Sequence, residues 1–426
     1  LLDEQRTNNK QQATLEITDF PPLLLEAFPK MRILQLHNLY KIPGGEDVVV
    51  QAEKTLLENY GHEVVLLQAD NHNITNFFSQ TMTALNTVYS FSAKKRVQAE
   101  IAKFKPDVVH VHNFFPLWSP AVYDACQEAR VPVLQTLHNY RLFCAAGLLF
   151  RNENVCEDCL GKLLPWPGVV HRCYRGSRVG SAVLATMQAV HRTRGTWNER
   201  VNLYIAMTEF NRNKFIEAGL PADKIVLKPH FLFSDPQVKQ GHGDYALFVG
   251  RLSPEKGIDT MLAAWRLKAS NGLGEQIPLK IVGDGPLADR VAMAAQEIPG
   301  VEWLGRQPQE QVQPLMQNAK LLVFPSECYE AFGMVILEAY SVGLPVVASN
   351  LGSLSSLISP GRTGLHFRPG DADDLAAKVE WAIAHPQELG QMGREARAEF
   401  EAHYTAEANY RRFMEIYQLA LGSKTR

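Results

Sequence analysis

The chain has 426 residues, 46% hydrophobic and 21% charged, with a formal net charge of -2. That length suits two domains of roughly 180–200 residues rather than one, and so even a charge excludes a general nucleic-acid binder, which would be strongly basic. No apolar run approaches the roughly 20 residues needed to cross a bilayer, the first residues lack the pattern of a signal peptide, and six cysteines in so long a chain exclude a disulfide scaffold. The expectation is a cytoplasmic protein.

Residues 1–30 carry no clear period and are predicted to form a mobile extension. Met31 opens a different pattern: the apolar strand MRILQLHNLY, a turn with Pro43, Gly44 and Gly45, the helical stretch VVVQAEKTLLENYG, and a second strand, HEVVLLQAD. This β-turn-α-β grammar belongs to a parallel sheet covered by helices, and DVVHVHN and VPVLQTLHN continue it. His110 and His112 alternate on DVVHVHN and so share a face; two histidines at that spacing could ligate a metal, but no third ligand is evident, which favours packing or acceptor-side lining. His138 follows the strand VPVLQT at its carboxyl end.

The segment from Cys144 to Cys173 places one C-x2-C pair, Cys156 and Cys159, between two single cysteines. A structural zinc held by all four, free reduced thiols and disulfides all remain open, and none of these readings involves catalysis. Arg172, Arg175, Arg178, Arg192 and Arg194 flank the apolar helical stretch VGSAVLATMQAV. That stretch could lie on an anionic membrane and present a lipid-linked acceptor, or be a solvated face or a site for a phosphate-bearing acceptor.

After IVLKPHFLFSDPQ, a passage with Pro229 and Pro236, the same grammar returns in DYALFVGRL, LKIVGDG, AKLLVFPS and LPVVAS. Two α/β halves in succession predict two Rossmann-like doubly wound domains facing a central cleft, with ligands beyond the carboxyl ends of the strands. Arg251 and Lys256 follow one strand directly, and Gly283 and Gly285 form a close-approach turn after the next. The stretch ECYEAFGMVILEA carries Glu330 and Glu338 in an otherwise apolar run. A helix is predicted to start around Phe332–Gly333 and end near Val342, where Gly343 and Pro345 stop it. Its free amides at Phe332, Gly333 and Met334, with Arg251 and Lys256, would form a diphosphate site without a metal. Read alone, Glu330 is equally a solvated helix-entry acid and Glu338 a polar helix face.

GRLSPEKG, GDGPL and PSECYEAFGMVILEAYSVGLPVVAS, in that order and spacing, resemble the retaining nucleotide-sugar glycosyltransferases of family 4 (group 1), with the GT-B fold. The resemblance runs from about Met31 to Leu421. It implies an acceptor domain over 31–230 with a cysteine-containing insert at 141–200, a donor domain over 231–404, and a C-terminal helix over 405–426 packed back on the first domain. It also implies that Glu330 contacts the donor sugar, Glu338 the ribose hydroxyls, and Arg251 and Lys256 the diphosphate. Gly44 and Gly45 match the glycine loop facing the phosphates, the loop at Gly305–Arg306 the lining of the base pocket, and His138 a histidine near the reactive carbon. The chain departs from the family pattern at Ser353 and Ser356, where glycine and glutamate are common.

The expected function is therefore a retaining, metal-independent, hexosyltransferase-type transfer from a nucleotide diphosphate sugar. The acceptor would be a glycan or lipid-linked hydroxyl in polysaccharide, glycolipid or cell-envelope synthesis, at the inner face of a membrane and with no nucleic acid partner. No cofactor is expected beyond that co-substrate and the structural zinc considered above. The rival readings are a GT-B-type sugar-nucleotide epimerase and a non-catalytic nucleotide-sugar scaffold.

Overall fold

Apolar runs without alternation are what a strand covered on both faces requires, and each predicted run forms one. The computed structural model describes residues 28–39, 44–70, 84, 86–233, 236–239, 241, 243–270 and 277–422. The extension predicted over 1–30 lies outside the described residues apart from 28–30, and residues 31–426 form one unit. The strands of its first half are β1 (Arg32–Leu39), β2 (Glu63–Asp70), β3 (Val108–Val111) and β4 (Val133–Thr136), then the hairpin β5 (Phe150–Arg151) and β6 (Asn154–Val155), then β7 (Leu203–Ala206) and β8 (Ile225–Leu227). Those of the second half are β9 (Tyr245–Val249), β10 (Leu279–Val282), β11 (Val301–Trp303), β12 (Ala319–Phe324), β13 (Val346–Ser349) and β14 (Gly364–Phe367).

The two main sheets are parallel throughout, in the orders β2-β1-β3-β4-β7-β8 and β11-β10-β9-β12-β13-β14. Winding reverses between β1 and β3 in the first and between β9 and β12 in the second, and crevices open at the carboxyl ends of such strands. Along β9 the pleat sends Tyr245 and Leu247 into one apolar layer and Ala246 and Phe248 into the other. Strands β7, β8, β11 and β14 escape a sequence reading because three or four residues are too few to show a period.

The helices that position the site are α1 (Gly45–Asn59), α2 (Trp166–Val170), α3 (Arg178–Thr193), α4 (Glu209–Glu217), α5 (Gln309–Asn318), α6 (Met334–Ser341) and α7 (Ala406–Gly422). Helix α7 returns to the first half. Tyr410 stacks on Tyr60 with 3.6 Å between centroids, its hydroxyl lies 2.9 Å from His62 Nε2, and the Tyr417 hydroxyl lies 3.0 Å from His110 Nδ1.

Candidate functional site

Pro325 follows the last residue of β12, and the chain runs without regular structure, bending at Cys328 and Ala331, to Gly333, which caps α6 with φ of 110°. A side chain there would be strained. A cavity of about 340 Å³ opens at this point, lined from the second half by Arg251, Lys256, Glu330 and Phe332–Val335, and from the first by Gly45, Glu46 and His138. A Cβ on Gly45 would stand only 3.9 Å from Met334 Cγ, so the N-termini of α1 and α6 face each other across the cavity. Their free amides and dipoles favour an anion between them.

Lys256 Nζ donates to Glu330 Oε1 at 2.6 Å, and Ser326 Oγ donates to the same oxygen at 2.6 Å. Burial works against the lysine's charge, but the Glu330 carboxylate outweighs it and holds the ammonium above its ordinary pKa. Arg251 is exposed at the rim.

His138 enters from the end of β4. Its Nε2 lies 3.2 Å from His112 Nδ1, and its ring stacks on His230, with 5.5 Å between centroids and 20° between planes. His230 in turn meets the Phe332 ring edge-on at 5.2 Å. Burial, and after it the neighbouring His230, push His138 well below the ordinary histidine range; burial and Lys228 take His230 down to about 3. Both rings are therefore neutral at physiological pH, able to donate from one nitrogen and accept at the other.

Beneath them lies a buried ion pair. Lys228 Nζ donates to Glu53 Oε1 at 3.0 Å and to Asn409 Oδ1 at 3.1 Å, joining α1, the passage between the halves and α7. Glu53 Oε2 lies 3.5 Å from His112 Nε2. Glu53, His110 and His112 bring three ligand atoms within 4.8 Å of one another, so α1 supplies the third group that the strand pattern lacked. The Lys228 ammonium already balances that carboxylate, and His110 is engaged with Thr136 at 2.8 Å and Tyr417. Glu53 and Lys228 thus form a buried ion-pair core, with Glu53 Oε2 turned toward His112 Nε2.

The remaining predicted residues lie outside the cavity lining. Glu338 sits on α6 beside Gln309, the first residue of α5, and burial pushes its carboxyl up to about 7. Gly283 and Gly285 have a structural reason instead: a Cβ on either would stand 1.8 Å from the Gly250 carbonyl oxygen or 2.5 Å from that of Leu252. Gly44 caps α1 through its amide, which donates to Asp47 Oδ2 at 2.8 Å, and Arg306 is exposed beyond β11. Ser353, the departure from the family pattern, is fully buried, and its hydroxyl meets Thr208 Oγ1 across the two halves at 2.8 Å.

The thiols of Cys144, Cys156, Cys159 and Cys173 are free, but among the described residues no three bring their sulfurs within 4.8 Å, so they do not fit a zinc ion. The Cys159 thiol points instead to the Pro165 carbonyl at 3.8 Å. Within the apolar stretch of α3, Leu184, Ala185 and Met187 are buried and pack inward, while Val179 is 74% exposed. Arg192 donates to the Lys162 and Ala218 carbonyls at 2.7 and 2.6 Å, and Arg194 to Asp124 at 3.3 Å. Sequence reasoning missed Glu46, Glu53, Ser326, Lys228 and His230; the only local signal for the last two was Lys-Pro-His in an otherwise apolar passage.

The family model described as "Glycosyl transferases group 1" matches residues 233–399, and that described as "Glycosyltransferase Family 4" matches residues 43–232. The D-rhamnosyltransferase WbpZ of Pseudomonas aeruginosa is 36% identical over 166 residues, 38% of this chain and 42% of that protein. The sulfoquinovosyl transferase SQD2 of Arabidopsis thaliana is 25% identical over 329 residues, 74% of this chain and 57% of that protein. The chain thus spans about half the length of the curated relatives it matches. Among solved structures, Anabaena HepE in complex with UDP superposes with a TM-score of 0.62 at 19% identity, covering 90% of this chain and 99% of that one. Sucrose-phosphate synthase from Thermosynechococcus elongatus gives 0.66 at 19% identity, covering 92% and 100%. Two doubly wound sheets of the GT-B arrangement, and two adjoining family matches that together run from residue 43 to residue 399, place the chain in the group 1, family 4 glycosyltransferases.

Proposed function

We propose that the chain transfers a sugar from a nucleoside diphosphate sugar to an acceptor hydroxyl with retention of anomeric configuration. The observation that carries this is the Lys256–Glu330 pair lying in a cavity between two facing helix N-termini, with His138 on the opposite wall. In this reading the segment 31–230 holds the acceptor and 231–404 the donor. Arg251, Lys256 and the amides of α1 and α6 take the diphosphate, supplying the countercharge that a divalent metal supplies elsewhere. Glu330 holds donor sugar hydroxyls, and Glu338 with the Gly305–Arg306 loop holds the nucleoside. As the bond from the anomeric carbon to the diphosphate oxygen breaks, its electron pair goes to the diphosphate. The acceptor oxygen attacks the same face, and its proton passes to the leaving phosphate. Neutral His138 positions sugar and acceptor by hydrogen bonding. The acceptor is a glycan or lipid-linked hydroxyl at a membrane face, in polysaccharide or cell-envelope glycan synthesis.

HepE is solved with UDP and with UDP-glucose, which makes UDP sugars the first donors to test. Thermal shift with UDP and GDP sugars identifies the donor, since a ligand of the native state raises Tm. Transfer with that donor in excess chelator, with the product's anomeric configuration read by NMR, tests the rest. An inverted product or strict metal dependence would sink the mechanism. Donor epimerised without transfer, or bound and left unchanged, would favour the rival readings.

Glu338 makes the nucleotide step pH-dependent. A carboxylate that accepts ribose hydroxyls must be ionised, and its pKa of about 7 places the change near neutrality. Nucleotide affinity is expected to fall as pH drops below 7, approaching tenfold per unit, while Glu338→Gln binds weakly at every pH. Calorimetric titration checks this, and a flat profile in the wild type would remove Glu338 from the site.

A further inference from the structure

We propose that the segment from Leu163 to Arg178 is a docking surface for an anionic lipid bilayer. From Cys159 to Asn198 the chain has no aspartate or glutamate, yet it has one lysine and five arginines. Arg192 and Arg194 are bonded to other parts of the fold, as described above; Arg172, Arg175 and Arg178 are exposed. The segment is built on α2, whose Pro167 and Gly168 face inward, Gly168 lying against Ala145 and Cys159. Trp166 and Val170, one helical turn apart, are consequently turned outward, 55% and 51% exposed, just after Leu163 and Leu164 at 57% and 51%. Among the described residues, fourteen large hydrophobic side chains are exposed, and five of them fall between Leu163 and Val179. Scattered exposed apolar side chains need no explanation, but a cluster followed along the chain by three exposed arginines does, the neighbouring Asp158 being paired with Arg151 at 2.7 Å.

The segment is braced rather than loose: the Cys173 amide donates to the Gly168 carbonyl at 2.9 Å, and the Tyr174 amide to Ser181 Oγ at 3.0 Å. Tryptophan and leucine enter the interfacial layer of a bilayer, and arginines pair with the phosphates of anionic headgroups. Side chains this exposed suit a surface that can be penetrated. The same segment meets the loop after His138, since Gln188 donates to the Arg141 carbonyl at 2.7 Å and the Arg141 guanidinium lies 5.9 Å from the Tyr174 ring centre. Docking here would bring a bilayer beside the acceptor wall of the cavity. The inference names the surface for the membrane contact of the reading above, and rests on that reading only for what the membrane presents.

The test is co-sedimentation of the full chain with vesicles of phosphatidylcholine alone or mixed with phosphatidylglycerol, with no donor or acceptor present. A chain that docks but transfers nothing keeps this inference and loses the other. The wild type is expected to bind only the anionic vesicles, less so at high salt. Arg172→Glu, Arg175→Glu and Arg178→Glu combined lower partitioning roughly a hundredfold, at about fivefold for each cation. Trp166→Ser with Val170→Ser weakens binding with an unchanged melting temperature, whereas Trp381→Ser, on the other half, leaves it intact. No binding of the wild type to anionic vesicles, or full binding by either combined variant, overturns the proposal. So does a solution dimer that the triple variant splits, which would assign the surface to a second copy of the chain.

Discussion

Lys256→Ala lowers kcat by roughly two to three orders of magnitude, the size of effect seen when a preorganised group that stabilises developing charge is removed. Lys256 is the cation that Glu330 anchors at 2.6 Å inside the cavity, and charge grows on the diphosphate as the sugar leaves. Such an interaction is stronger in the transition state than in the ground state, so kcat falls more than donor KM rises. The fold should survive, because Glu330 keeps its bond from Ser326 and the lysine side chain is 26% exposed. Steady-state kinetics with the donor found by thermal shift gives the split. A kcat within a few-fold of wild type would remove Lys256 from the reaction, and a purely raised KM would reduce it to a binding group.

Lys228→Met is expected to cost about 3–5 kcal/mol of stability, because it leaves the Glu53 carboxylate buried without its cation. Lys228 and Glu53 are 1% and 0% exposed, and burial raises the pKa of the acid and lowers that of the lysine. Adding Glu53→Gln to Lys228→Met should recover most of the loss. The pH dependence has a definite sign. In the single variant the native carboxyl binds a proton at a pH where the unfolded chain does not, so stability rises as pH falls toward the ordinary carboxylate range. The penalty is therefore largest above neutrality and shrinks in acid. Denaturant unfolding at pH 8 and pH 5 measures it; equal losses at both would show that Glu53 is not the group left uncompensated. The same variant also loosens α7, since Lys228 holds Asn409.

Much of the fold was legible in the chain. The strands that carry the motifs are continuous apolar runs, and a parallel strand delivers the loop after it to the same edge of the sheet as its neighbours. Once the runs ending before Gly250 and Pro325 are read as strands, Arg251, Lys256 and Glu330 must share that edge, whatever the details of packing. The 2.6 Å contact between Lys256 and Glu330 makes that edge specific. The glycines show the limit of such reading: Gly283 and Gly285 look like ligand-approach residues, whereas carbonyls of the β9 loop demand them. The cysteines show it again, since C-x2-C spacing permits a chelate but cannot say where the side chains turn.

What the sequence alone determined is the local order: two α/β halves, the loops at their strand ends, and the charges and amides those loops carry. These follow from periodicity and from the chemistry of turns, which act over a few residues. Only the tertiary structure decided the rest. Glu53 and Lys228 are 175 residues apart and Lys228 and Asn409 181, yet they form one buried network; His230 lies on His138, and Gly45 meets Met334 across the cavity. Each of those contacts depends on how two sheets and a returning helix pack, a long-range balance of burial against desolvation that no local spacing encodes.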